Sequence, residues 1–209
     1  LINPRPLSGF RDYLPVVMLA RERVLQTARE VYRSYGFTPI DTPACEALDV
    51  LLGKGGDESD KLVYRVRSAR SEKEEMGLRF DLTVPLARFY ATHRAELPRV
   101  FRSIQIAPVW RAERPQKGRY RQFVQCDIDI IGDETYLAEV ELITATAQAL
   151  EALGLGGCTI RINDRRILRR IVRHLGIADD SYERALIVID KEDKIGVSGV
   201  VEELVGLGL

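Results

Sequence analysis

The chain has 209 residues, of which 45% are hydrophobic, and its 31 basic and 31 acidic side chains cancel to no net charge; one sizeable core is affordable, and no global field draws the chain to nucleic acid or membrane. Three scattered cysteines (Cys45, Cys126, Cys158) and two histidines (His93, His174) argue against a disulfide framework and lack metal-ligand spacing, so no metal site is expected. No apolar run approaches the roughly 18–20 residues that span a bilayer and no signal peptide is visible, so a cytoplasmic location is expected.

In chain order, residues 16–35 place Val17, Ala20, Val24, Ala28, Val31 and Tyr35 at steps of three and four, one apolar stripe of a helix. Pro15 before it and Gly36 after it suit the boundaries. The segment FTPIDTP (37–43) reads as extended, and Pro39 and Pro43 assign it to an edge or an interface. KLVYRV (61–66) and GLRF (77–80) read as two strands joined by the charged connection RSARSEKEEM. A helix is expected from Thr83 and Pro85 towards Leu97, with proline in its first turn. Another, ETYLAEVELITATAQALEAL (134–153), is expected to be capped by Asp133 and closed at Gly154.

Two segments alternate with a period of two, as strands do. Along 101–111, Arg102, Ile104, Ile106, Pro108 and Trp110 share one face, and Ser103, Gln105, Val109 and Arg111 the other. Along 122–131, Val124, Cys126, Ile128 and Ile130 oppose Phe123, Gln125, Asp127, Asp129 and Ile131. Antiparallel pairing is the simplest topology. The polar face admits two readings, a substrate floor or a solvated sheet face. Between the strands, Arg111, Arg114, Lys117, Arg119 and Arg121 crowd around Pro115 and Gly118 with Glu113 as the one acid. That loop is either a polyanion cradle or a solvated hairpin tip. Asp81 and Thr83 likewise read as helix caps or as pocket groups.

The run VWRAERPQKGRYRQFVQCDIDIIG (109–132) closely resembles motif 2 of class II aminoacyl-tRNA synthetases in the form found in histidyl-tRNA synthetase. GLRFDLTVPLARF (77–89) is similar to that family's amino-acid-binding segment. GFRDYLP (9–15) and GFTPIDTPACE (36–46) are similar to its motif 1, and INDRRIL (162–168) has a counterpart there. The resemblance implies an α+β fold, a class II synthetase-type antiparallel β-sheet flanked by helices. It further implies that residues 1–209 are a partial class II catalytic domain, with motifs 1 and 2 present and motif 3 and the anticodon-binding domain absent from these residues. On their own they are then expected not to charge tRNA.

The implied activity is ATP-dependent activation of L-histidine and its transfer to tRNA(His). By that resemblance Arg111 is the catalytic clamp on the α-phosphate of ATP, suited to it by a planar fork that grips two oxygens. Glu113 accepts from the adenine amino group or holds the loop, Arg119 meets the outer phosphates, and Phe123 stacks on adenine. Mg2+ accompanies the triphosphate. Asp81 and Thr83 bind the α-ammonium of histidine, and Gln125 and Asp129 contact it from the strand. Arg114, Gln116 and Lys117 at the loop tip face the acceptor end of tRNA. The motif 1 region implies a homodimer.

Two other readings stand beside this one. A synthetase-like regulatory subunit of the ATP phosphoribosyltransferase of histidine biosynthesis shares the fold without ligase activity, but need not keep the ATP loop. A bare nucleic-acid-binding module is disfavoured by the zero net charge.

Overall fold

The computed structural model describes residues 2–53, 61–69 and 75–209, so residues 70–74 of the expected RSARSEKEEM connection lie outside the described residues. The chain divides into two compact units, Leu1–Cys158 and Thr159–Leu209.

In the first unit, α1 (Pro15–Ser34) has proline in its first turn, where the missing N–H costs nothing. Its C-terminal half buries Ala28 and Tyr32, whereas Val17 and Val24 nearer its start stay about half exposed. The predicted stripe is therefore only half used within the chain. β1 (Thr38–Pro39) pairs in parallel with β5 (Phe101–Trp110), which pairs antiparallel with β6 (Gln122–Ile131), giving the order β1-β5-β6. The proline-bearing strand is thus at the edge, as its missing donor requires.

The apolar face of this sheet meets α1 and α4 (Leu137–Ala152) in a core of Ala28, Tyr32, Phe37, Ile104, Ala145 and Ala149, with Ile106, Ile128 and Ile130 packed against it. Arg102 adds a forked pair to Glu141 of α4, at 2.8 and 2.9 Å. The helix expected from residue 134 begins at Leu137 instead. Asp133 does not cap it: its carboxylate accepts from the Thr135 N–H and hydroxyl, at 2.9 and 2.7 Å. That closed turn satisfies Asp133 locally before the helix can start.

A second small sheet, ordered β2-β4-β3, comprises β2 (Cys45–Ala47), β4 (Met76–Leu78) and β3 (Tyr64–Val66), all antiparallel. It packs with α2 (Leu48–Leu52) through Leu48, Leu51, Val63 and Phe80. Gly77 lies in the central strand because a Cβ there would come within 2.7 Å of Val63 and 2.9 Å of Leu51. From this sheet the chain enters α3 (Thr83–His93), which ends four residues short of Leu97. Arg88 of α3 holds the buried Glu46 of β2 through Nε, at 3.1 and 3.2 Å.

The second unit contains α5 (Arg165–His174), a single turn of 3-10 helix, α6 (Tyr182–Ile189) and α7 (Glu192–Gly206). Asp164 caps α5 by accepting from the Arg166 N–H at 2.8 Å. Tyr182, Ala185 and Val188 of α6 are buried, and Lys191 and Glu203 pair at 2.6 Å. Among the described residues no helix is long and apolar enough to cross a membrane.

Candidate active site

The site is built on the sheet face turned away from α1 and α4. The β5–β6 register sets Ser103 opposite Asp129, Gln105 opposite Asp127, Ala107 opposite Gln125 and Val109 opposite Phe123. Alternation puts all eight on one face. Ser103 and Gln105 are buried, so this face is no solvated sheet surface. The Gln105 amide donates to the Leu82 carbonyl at 3.3 Å, tying the floor to the turn that carries Asp81 and Thr83.

Asp81 Oδ1 accepts from the Val84 N–H at 3.1 Å. The capping role is therefore real, and it leaves the second carboxylate oxygen available. Thr83 opens α3 and is exposed. Among the described residues, Ser103 Oγ, Gln125 Oε1 and Asp129 Oδ2 are buried without a hydrogen-bond partner. Buried polar atoms are rarely left so, because each costs about 1–3 kcal/mol. Three of them on one sheet face make that face the candidate ligand site.

The charges agree. Burial pushes the carboxyl groups of Asp81 and Asp129 above their ordinary range, the former opposed by the Val84 N–H and Arg111. Asp127 is pushed up to about 6, by burial first and then by Asp129 and Asp81, with Arg111 opposing. Such a cluster of like charges is unfavourable in the empty protein and is typical of functional sites.

Beside this floor lies the basic loop. Arg111 donates through Nε to the Phe80 carbonyl at 3.0 Å, and its guanidinium carbon sits 5.0 Å from the centre of the Phe123 ring. A cavity of about 300 Å³ is lined by Arg111, Glu113, Gly118, Arg119, Tyr120 and Phe123. All four residues that the resemblance assigns to ATP line it. Arg114, Gln116 and Lys117 instead lie exposed towards the tip. The tip is a tight turn in which Gln116 and Arg119 exchange backbone hydrogen bonds of 3.2 and 2.9 Å. Gly118 adopts φ +81° there, a conformation that side-chain-bearing residues resist.

Two supports of the site have roles that the sequence reading did not assign. The first is the segment 8–11: the Arg121 N–H donates to the Gly9 carbonyl at 2.8 Å, and its guanidinium to Ser8 and Glu113 carbonyls at 3.3 and 3.0 Å. Arg11 reaches the Tyr120 hydroxyl at 3.0 Å and lies 4.0 Å over that ring. The GFRDY stretch thereby holds the loop's returning arm. The second is Arg79, whose buried guanidinium donates to the Pro108 carbonyl at 3.0 Å and to Thr42 Oγ1 at 3.2 Å. The only sequence signal for it was an arginine inside an otherwise apolar strand.

A sequence model of the family described as histidyl-tRNA synthetase matches residues 9–205. The histidine–tRNA ligase of Leifsonia xyli subsp. xyli is 55% identical over 214 residues, covering 95% of this chain and 50% of that protein. That of Rhodopirellula baltica is 49% identical over 205 residues, covering 98% of this chain and 46% of that protein. The crystal structure of histidyl-tRNA synthetase from Nostoc sp. PCC 7120 is similar with a TM-score of 0.87 at 36% identity, over 100% of this chain and 46% of that one. A Bacillus halodurans protein described as an ATP phosphoribosyltransferase regulatory subunit/histidyl-tRNA synthetase is more distant, with a TM-score of 0.63 at 25% identity over 73% of this chain and 40% of that one. The chain spans about half the length of the curated relatives it matches.

Proposed function

The chain belongs to the histidyl-tRNA synthetase family, and on that premise we propose that it forms part of the catalytic domain of a histidine–tRNA ligase that activates histidine with ATP and transfers it to tRNA(His). The observation that carries this reading is the adjacency of two sites. The sheet face offers unpartnered acceptors on Gln125 and Asp129, Asp81 acts on both the intervening Asp127 and Arg111, and the neighbouring cavity is lined by Arg111, Arg119 and Phe123.

In activation, a carboxylate oxygen of histidine bonds to the α-phosphorus of ATP as the bond to the bridging oxygen breaks, and pyrophosphate leaves with that electron pair. Negative charge grows on the α-phosphoryl oxygens, where Arg111 presents a fixed cation held by Phe80. Phe123 offers a ring face for adenine, Arg119 a charge for the outer phosphates and Glu113 an acceptor at the cavity wall. On the other side, Asp81 and Thr83 take the ammonium, and Gln125 and Asp129 take the ring. Mg2+, when bound, supplies further charge neutralisation. Among the described residues no group of three His, Cys, Asp or Glu side chains could hold it, so the nucleotide's phosphates and waters are its expected ligands.

The exposed start of α1, with Val16 80% and Leu19 59% accessible, supports a homodimer through the motif 1 region. The alternative, a regulatory subunit without ligase activity, needs no nucleotide cavity. The four ATP residues gathered around one cavity weigh against it. The test is charging of tRNA(His) by the full-length protein: the ligase reading expects histidyl-tRNA, and binding of histidine without charging would favour the regulatory reading.

The loop's two parts should separate in the same assay. Gln116→Ala is expected to slow transfer of histidine to tRNA about tenfold, the loss of one or two polar contacts, while adenylate formation stays within about twofold. Gln116 is exposed and does not line the cavity. Equal losses in both steps, measured by charging and by ATP–pyrophosphate exchange, would place the tip on the nucleotide instead.

A further inference from the structure

Tyr120 lines the nucleotide cavity from the returning arm of the basic loop, just before β6 begins at Gln122. Among the described residues its side chain has no hydrogen-bond or cation partner other than Arg11, which donates to the Tyr120 hydroxyl at 3.0 Å and stands 4.0 Å from the ring centre. Arg11 is not among the residues that line the cavity. It stands 4.6 Å from the centre of the Tyr13 ring, and Arg21 of α1 stands 4.1 Å from that same centre. An unbroken series of cation–ring contacts, Arg21–Tyr13–Arg11–Tyr120, thus runs from the second turn of α1 to the cavity wall. The α1 end is anchored, because Ala28 and Tyr32 of that helix sit in the core.

Such a series does little for folding. Arg11 is exposed, Tyr13 and Arg21 are half-buried, and cation–ring contacts that water reaches are weak. It also brings two guanidinium groups to one tyrosine and adds a further cation beside a loop already crowded with basic side chains. Like charges repel, and an anion in the cavity relieves them.

We infer that Arg11 and Tyr13, seated on Arg21, are positioning residues for the nucleotide: they act through Tyr120 to hold the cavity wall in its closed form. This rests on the ATP reading of the cavity given above. Ser8 and Gly9 tie the next residue, Arg121, through their carbonyls, which fixes the arm's backbone, whereas Arg11 fixes the Tyr120 ring. Without Arg11 that ring turns freely, only a fraction of molecules present the closed wall, and affinity for ATP falls by that fraction. None of the contacts in the series involves Asp81, Thr83, Gln125 or Asp129, so histidine binding should not feel its loss.

The experiment is equilibrium dialysis of ATP and, separately, of L-histidine against the full-length protein, for the natural protein, Arg11→Ala, Tyr13→Leu and Tyr13→Phe, with melting temperatures alongside. Arg11→Ala is expected to raise the Kd for ATP about five- to tenfold, the loss of one ring contact and one hydrogen bond, while the Kd for histidine stays within about twofold. Tyr13→Leu removes the backing of Arg11 and should raise the Kd for ATP about threefold. Tyr13→Phe keeps the ring face and should bind ATP as the natural protein does. The double variant Arg11→Ala/Tyr13→Leu should bind ATP no more weakly than Arg11→Ala, because both act through one ring. In ATP–pyrophosphate exchange the KM for ATP should rise with kcat nearly unchanged. An unchanged Kd for ATP in Arg11→Ala would overturn the inference, and so would equal weakening of both ligands, the mark of a merely structural role. If Arg11→Ala does not fold, Tyr13→Leu against Tyr13→Phe decides by the same comparison. A natural protein that binds ATP without histidine-dependent exchange would sink the ligase reading and leave this inference standing. One that binds no ATP would sink both.

Discussion

Arg111→Ala is expected to lower histidine-dependent ATP–pyrophosphate exchange by the full-length protein about 10²–10³-fold, the loss typical of one fixed charge-stabilising donor. The structural losses are smaller. Arg111 donates one hydrogen bond to the Phe80 carbonyl and lies against the Phe123 ring, contacts worth about 1 kcal/mol each. Folding should therefore survive where activity does not. Because the phosphoryl charge develops mainly on the way to the transition state, kcat should fall more than the KM for ATP rises. Arg111→Lys keeps the charge but loses the fork, and should recover only part of the rate. Equal exchange rates in the natural protein and the alanine variant would make Arg111 a structural residue.

Arg79→Ala should have the largest effect on stability, about 3 kcal/mol or more, read as a fall in melting temperature of roughly 6–12 °C. The Arg79 guanidinium is buried and serves the Pro108 carbonyl and Thr42 Oγ1 at once, with Asp41 at 3.7 Å. Truncation leaves those acceptors without a donor in a place water reaches poorly. Lysine should not rescue, since a single ammonium cannot span both segments as the planar fork does. The site would feel the loss as well, because the Trp110 N–H donates to the Arg79 carbonyl at 3.0 Å, one residue before Arg111. A variant that melted within about 2 °C of the natural protein would contradict this role.

Much of this was legible in the sequence where one residue pattern meets one physical demand. The period-two runs at 101–111 and 122–131 became β5 and β6 because Ile104, Ile128 and Ile130 must face α1 and α4, which leaves Gln125, Asp127 and Asp129 on the other side. Proline placed β1 at an edge. What escaped depends on distant segments. Arg79 reads as one residue of a short strand until Thr42 and Pro108 close around it. The hold of residues 8–11 on Arg121 joins stretches more than a hundred residues apart. Asp127 was placed on the correct face, but its meaning comes from Asp81 in another segment. Local chemistry also misled: Asp133 suits a helix cap, yet Thr135 satisfies it first. In the second unit, Gly196 at φ +70° interrupts α7, so no regular period was there to read.

The proposed roles make Gln125 and Asp129 the floor for a histidine ring and Arg111 the clamp for the phosphate that the histidine carboxylate attacks. The most direct measurement is ATP–pyrophosphate exchange by the full-length protein with each of the twenty amino acids in turn. Histidine alone should support exchange, and Asp129→Asn should abolish most of it while leaving ATP binding in place. Exchange with a different amino acid, or with none, would contradict the assignment of this sheet face.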